Sequence, residues 1–187
     1  MTEPGNTLNG VDRDALNGTL EAVEKNPQLA QVTFTLGADW KGGCRQSSVT
    51  GSTRQAGATI DSRTARYTLE SDEPAALLGS DTAASPGEYV LQALAGCYAV
   101  TFATHAASRG IELSALRLDM EVDFDLQGFL GLDEDTRPGA QEIRVTAHVE
   151  SPNTPRESLR ELTELVQRHS PIHDTLAREV RVSTSLA

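Results

Sequence analysis

The clearest pattern along the chain is a strict alternation over residues 116–126, LRLDMEVDFDL. Leu116, Leu118, Met120, Val122, Phe124 and Leu126 alternate with Arg117, Asp119, Glu121, Asp123 and Asp125. Successive side chains of a strand point to opposite faces, so this period predicts a half-buried strand with one wet face. EIRVTAHVE, Glu142 to Glu150, repeats the pattern through Ile143, Val145, Ala147 and Val149. The connection between the two, QGFLGLDEDTRPGAQ, is long for a compact domain. Its Phe129, Leu130 and Leu132 need cover from another part of the fold. Upstream, Val32, Phe34 and Leu36 alternate with Thr33 and Thr35. Gly42-Gly43 interrupts, and strand character returns in CRQSSVTGSTR and through Tyr67 and Leu69. Residues 30–70 therefore read as a short antiparallel meander with Gly-rich turns.

The period changes in SPGEYVLQALAGCYAV. Ser85 is an N-cap, Pro86 suits the first helical position, and Glu88 completes a capping box. The predicted helix runs through Ala93, Ala95, Gly96, Ala99, Ala103, Ala106 and Ala107 and stops at Gly110. Small residues on several faces predict a helix buried nearly all round. A second helix is predicted over 154–168, with Thr154 as cap, Pro155 at its start and Glu157 closing another capping box. Leu159, Leu162, Leu165 and Val166 form its apolar stripe. Ser170-Pro171 ends it, because a residue before proline resists helical geometry. A short helical or extended piece, Ile172 to Leu176, then leads into a final strand, VRVSTSL. At the other end, residues 1–10 read as disordered. Asp12 opens a short helix with Leu16, Leu20 and Val23 on one face, ended by Asn26-Pro27. The organisation is thus a 1–30 N-terminal extension with a short helix, followed by one domain over 31–187.

Composition narrows the function. The chain has 187 residues, 38% hydrophobic and 23% charged, which suits one globular domain with a real core. Its net charge is −11, and an acidic surface repels phosphate backbones. Nucleic acid and membrane surfaces are therefore not expected partners. No run of about 18 apolar residues predicts a membrane span, and MTEPGNTLNG has no signal-peptide pattern. Two cysteines do not make a disulfide scaffold. The expectation is a cytoplasmic protein with reduced thiols, no metal and no cofactor.

Cys97 is the first candidate for chemistry. A free cysteine is commonly a small buried hydrophobe. A reactive one needs its thiolate stabilised, and the helix dipole fades within about one turn. Cys97 lies well beyond that, so a cation from another element is required: Arg45, Arg54, His169 or His173. Cys44 is either an incidental thiol or a substitute resolving cysteine beside Arg45. His105 shares nearly the face of Cys97 and reads as a core or interface histidine. The acidic face from Asp119 to Asp125 reads as a solvated surface that discourages edge pairing.

The order of elements, with SPGEYVLQALAGCYAV and RHSPIHDTL in the matching places, resembles the OsmC/Ohr family over roughly residues 30–187. The resemblance implies an α+β OsmC-like fold, with an antiparallel sheet wrapped around two buried helices in an intertwined homodimer. It implies thiol-dependent reduction of organic hydroperoxides at Cys97, with Arg45 and Glu88 holding and polarising the thiol. Two positions depart from the family pattern. The second cysteine, which would resolve the first as a disulfide, is Ser170. Gly87 stands where a glutamate is expected, and Glu88 follows one residue later, turned by about 100° around the helix. The resulting expectation is a single-cysteine hydroperoxide reductase served by an external thiol reductant. The alternative is an OsmC-fold protein that binds a small apolar molecule without peroxidase activity.

Overall fold

The computed structural model of the chain describes residues 6–60, 62 and 64–186. Thr7–Leu8 (β1) and Val11–Asp12 (β2) form a small antiparallel pair around Asn9 and Gly10, both at positive φ. Residues 6–10 are therefore ordered, against the expectation of disorder; residues 1–5 lie outside the described part. The Asn9 side chain ties this turn down. Its Nδ2 donates to the Ile111 carbonyl at 2.9 Å, and its Oδ1 accepts from the Leu113 amide at 2.8 Å. The first helix, Arg13–Lys25 (α1), starts one residue after Asp12.

Two short antiparallel sheets follow. Val32–Thr33 (β3) pairs with Arg54–Gln55 (β6), which pairs with Ala58–Thr59 (β7). Leu36–Gly42 (β4) pairs with Arg45–Thr50 (β5), which pairs with Thr68–Ser71 (β8). The β4–β5 turn needs its glycines, since Gly42 and Gly43 sit at φ 97° and 59°. Trp40 Nε1 pins the turn by donating to the Gly43 carbonyl at 2.9 Å. The alternating Val32, Phe34 and Leu36 are exposed at 45, 72 and 56% within the single chain. The alternation correctly marks extended backbone, but no second layer among the described residues covers it. Beyond β8, the buried Asp72 carboxylate closes the 72–82 loop. It accepts from the amides of Glu73, Ser80 and Thr82 and from the Thr82 hydroxyl.

The long helix, Pro86–Ser108 (α2), begins where the capping box places it. The Ser85 amide donates to Glu88 Oε2 at 2.7 Å, and the Glu88 amide donates to Ser85 Oγ at 3.2 Å. Ala115–Asp123 (β9) and Glu142–Glu150 (β10) pair antiparallel over their full nine-residue lengths. Leu126–Phe129 (α3) is a single turn in the connection between them. Arg156–His169 (α4) and Pro171–Ala177 (α5) complete the regular structure.

Residues up to Arg13 together with Val90 onward form one compact unit, and Asp14–Tyr89 form a second. The core of the first is a stripe on α2, Leu94, Tyr98, Phe102 and Ala106, packed with Leu162 and Val166 of α4. The spacing of four keeps that stripe on one face of the helix. Leu116, Leu118 and Met120 of β9 and Ile143, Val145, Ala147 and Val149 of β10 pack against it. Burying each large apolar side chain here contributes about 1.5–3 kcal/mol. The opposite strand face is wet and ion-paired. Arg144 bonds Glu121, Asp123 and Glu142, while Asp119 bonds Arg117 and His148.

Three expectations are corrected. First, within the single chain α2 is buried along one face only, and Val100 on the other side is 67% exposed. Small residues on every side gave no period by which to choose that face. Its length and composition would also let α2 cross a membrane, but its buried stripe packs on α4 and the two long strands. Second, Thr154 does not cap α4. The helix starts at Arg156, Pro155 takes the cap position without a side-chain bond, and Glu157 pairs with Arg160 instead. Third, VRVSTSL forms no strand among the described residues. Val182 is 81% exposed and Leu186 fully so. A strand needs a partner edge, and this segment finds none among the described residues.

Candidate functional site: the Cys97 thiol and its donor

Cys97 sits at mid-helix on α2, half-buried, next to the core residue Tyr98. Its backbone carbonyl accepts the Thr101 hydroxyl at 2.7 Å. Its sulfur meets the junction of α4 and α5. There Ser170, 1% exposed, caps α5: its Oγ accepts the His173 amide at 3.2 Å and donates to Cys97 Sγ at 3.1 Å. A hydroxyl has one proton and two lone pairs. The amide occupies a lone pair, which leaves the proton for the sulfur. Pro171 fits the first position of α5, where its missing N–H costs nothing. The Ser-Pro pair thus ends one helix, starts the next and presents a hydroxyl to the thiol.

Next to this contact, the Tyr98 hydroxyl and His173 Nδ1 share a hydrogen bond of 2.8 Å, and the two rings stack with centroids 6.0 Å apart. Burial, and secondarily the neighbouring Cys97, hold the Tyr98 phenol above its ordinary value, so it stays protonated at neutral pH. The His173 ring is committed to Tyr98, and only its backbone amide reaches Ser170 Oγ. The pair Ser170–His173 is therefore not a nucleophile–base dyad. Further along α2, His105 lies against His169 with ring centroids 5.3 Å apart. Burial, His169 and Arg109 hold His105 below its ordinary value, so it is neutral at pH 7.

The residues singled out by sequence fall in both units. Cys97, Ser170, His105, His169 and His173 belong to the first; Cys44, Arg45, Arg54 and Glu88 belong to the second. Arg45 opens β5 and Arg54 opens β6, both exposed. Exposed Glu88 is engaged at its own helix start. Cys44 lies in the β4–β5 turn, where its thiol donates to the Leu78 carbonyl at 3.5 Å. Sequence reasoning missed Tyr98. Only its place directly after Cys97 could have drawn attention to it, because its partner is distant in sequence.

An α+β chain with a half-buried cysteine on its long helix, next to the junction of two later helices, has the organisation of an OsmC-like protein. The model of the OsmC-like protein family matches residues 79–185, more than half of the chain, and the chain belongs to that family. No curated protein matches the chain significantly. Solved structures match over more of its length. An OsmC-like protein from Mycoplasma pneumoniae aligns at TM-score 0.57 and 18% identity, covering 78% of this chain and 87% of that one. An organic hydroperoxide resistance protein, OsmC, from Legionella pneumophila aligns at 0.53 and 17%, covering 77% and 88%. An OsmC-like protein of unknown function from Vibrio cholerae aligns at 0.51 and 11%, covering 76% and 92%. At these identities the likeness is one of fold, and the OsmC-like α+β fold is that of this chain.

Proposed function

We propose that this protein is a redox protein that reduces organic hydroperoxides through one thiol, Cys97. The reading rests above all on the hydrogen bond from the buried Ser170 Oγ to Cys97 Sγ, which places a proton donor against the sulfur at the α4–α5 junction. The name of the Legionella structure, an organic hydroperoxide resistance protein, supports the substrate class. In the proposed cycle the Cys97 thiolate attacks one peroxide oxygen. A sulfur–oxygen bond forms, the O–O bond breaks, and the leaving alkoxide takes a proton to become an alcohol. The sulfenic acid left on Cys97 accepts an external thiol, releasing water and forming a mixed disulfide. A second external thiol frees Cys97 and leaves as the disulfide. Ser170 has no sulfur with which to resolve the intermediate internally, so the reductant comes from outside, which suits a reducing cytoplasm. Arg45 is the proposed activating cation and Glu88 the proposed residue that orients it. Both act within a homodimer.

The test is direct. The purified protein receives one equivalent of cumene hydroperoxide, is trapped with dimedone and is read by mass spectrometry. The expected result is one adduct, on Cys97, absent in Cys97→Ser and retained in Cys44→Ser. An unmodified Cys97 after this dose would sink the reading. A disulfide between Cys44 and Cys97 would replace the single-cysteine cycle with a two-cysteine one.

A further inference from the structure

The first unit has an open cavity of about 600 Å³, within the range of small-molecule sites. Leu94, Val145 and Leu176 supply apolar wall, and the hydrogen-bonded pair of buried Tyr98 and half-buried His173 supplies a polar patch. Cys97 is not part of the lining. Arg137, from the loop before β10, is, and it is the one arginine there. Arg137 is exposed and Tyr98 buried, so the cavity runs from the interior to Arg137 at the surface.

That guanidinium is unspent. Among the described residues it forms no hydrogen bond and no ion pair. The carboxylate that also lines the cavity, Glu142, is already bonded to Arg144 at 2.8 Å. The loop that carries Arg137 is held in place. Gln141 Nε2 donates to the Arg137 carbonyl at 2.9 Å and to the Gly139 carbonyl at 3.1 Å. Gly128 lets the loop backbone come close to α3: a Cβ there would stand 2.7 Å from the Arg137 carbonyl oxygen. A Cβ at Gly139 would stand 3.1 Å from a guanidinium nitrogen, so that glycine leaves the side chain its room.

We propose that this cavity binds an apolar monocarboxylate, with its chain between the walls and its head paired to Arg137. The charge count selects the head group. One guanidinium matches one carboxylate in a bidentate pair. A phosphate dianion would need further cations, and the other base in the lining, His173, is already bonded to the Tyr98 hydroxyl. The apolar wall selects the body, because the acidic surface repels bare small anions and leaves burial to supply the remaining affinity. The inference stands apart from the peroxide reading, since it does not use the thiol.

Calorimetric titration of the full chain with dodecanoate and with dodecanol separates head from body. Dodecanoate binds one per chain, and Arg137→Gln weakens it by about tenfold or more, the scale of a lost charged hydrogen bond. Arg137→Lys gives a smaller loss, because it keeps the charge but not the fork. Dodecanol binds parent and Arg137→Gln alike. Leu176→Trp weakens both ligands by filling the cavity, and Cys97→Ala binds dodecanoate as the parent does. The proposal is overturned if Arg137→Gln binds dodecanoate like the parent, or if Cys97→Ala abolishes binding. It is equally overturned if the parent binds neither ligand, the result expected were a second copy of the chain to occupy the cavity.

Discussion

Ser170 takes part in two hydrogen bonds of opposite sense, and their combination gives the site its character. Accepting the His173 amide stabilises the start of α5, while donating to Cys97 Sγ holds the sulfur beside a hydroxyl proton. Replacing Ser170 by Ala removes both. The cap is worth about 1 kcal/mol of stability. The donor is worth roughly tenfold in the rate at which Cys97 is sulfenylated by cumene hydroperoxide. Stopped-flow oxidation, alongside a urea unfolding curve, separates the two effects. Ser170→Cys tests the geometry from the other side. With the oxygen 3.1 Å from Cys97 Sγ, a sulfur at this position forms a disulfide with Cys97 after one equivalent of peroxide, seen as the loss of two titratable thiols. Persistence of both thiols would show that the junction holds the two side chains apart. The sequence identifies Ser170 only as a missing cysteine. That its one proton is aimed at the thiol follows from the turn between α4 and α5.

At the scale of elements, legibility follows the strength of the period. β9 and β10 carry strict alternation and form as strands where it predicts them; the structure pairs them residue against residue. α4 has a single apolar stripe and forms as a helix with Leu162 and Val166 buried. α2 has no period, so its inner face is decided by the hairpin and by α4. The same packing sets His105 against His169. A histidine held below its ordinary value of 6.5 binds its proton less readily in the folded state than in the unfolded one. The stability this gives is present above pH 6.5 and is lost as the pH falls toward the depressed folded value. Urea midpoints should therefore drop between pH 7.5 and 5.5, and His105→Gln should flatten that slope. An unchanged slope in the variant would place the titrating group elsewhere.

At the scale of the molecule, each unit leaves large apolar side chains exposed within one chain. Phe34, Trp40 and Leu78 do so in the second unit; Val100, Phe129, Leu132 and Val182 do so in the first. Exposed apolar residues gathered in patches mark surfaces that something covers. In the proposed homodimer a second copy provides that cover. Light scattering at micromolar concentration should then give twice the 20.0 kDa mass of the chain. Val100→Asp, on the open side of α2, should shift the mass toward a single chain. A parent of 20.0 kDa would refute the dimer.

By itself the sequence determined what depends on neighbours along the chain. The alternating strands, the Ser85–Glu88 capping box, the Ser170-Pro171 break and the position of Cys97 are all local, fixed by backbone geometry and by spacings of two to four residues. The order of these elements pointed to the OsmC-like family. Tertiary structure decided everything that needs residues far apart to meet. It brought the Ser170 hydroxyl to a thiol 73 residues away and paired Tyr98 with a histidine 75 residues on. It chose which face of α2 is buried, and it left the C-terminal segment without a partner strand among the described residues. The physical reason is the same in each case. A hydrogen bond, an ion pair or a packed face requires two surfaces within a few ångströms, and spacing along the chain does not encode that proximity.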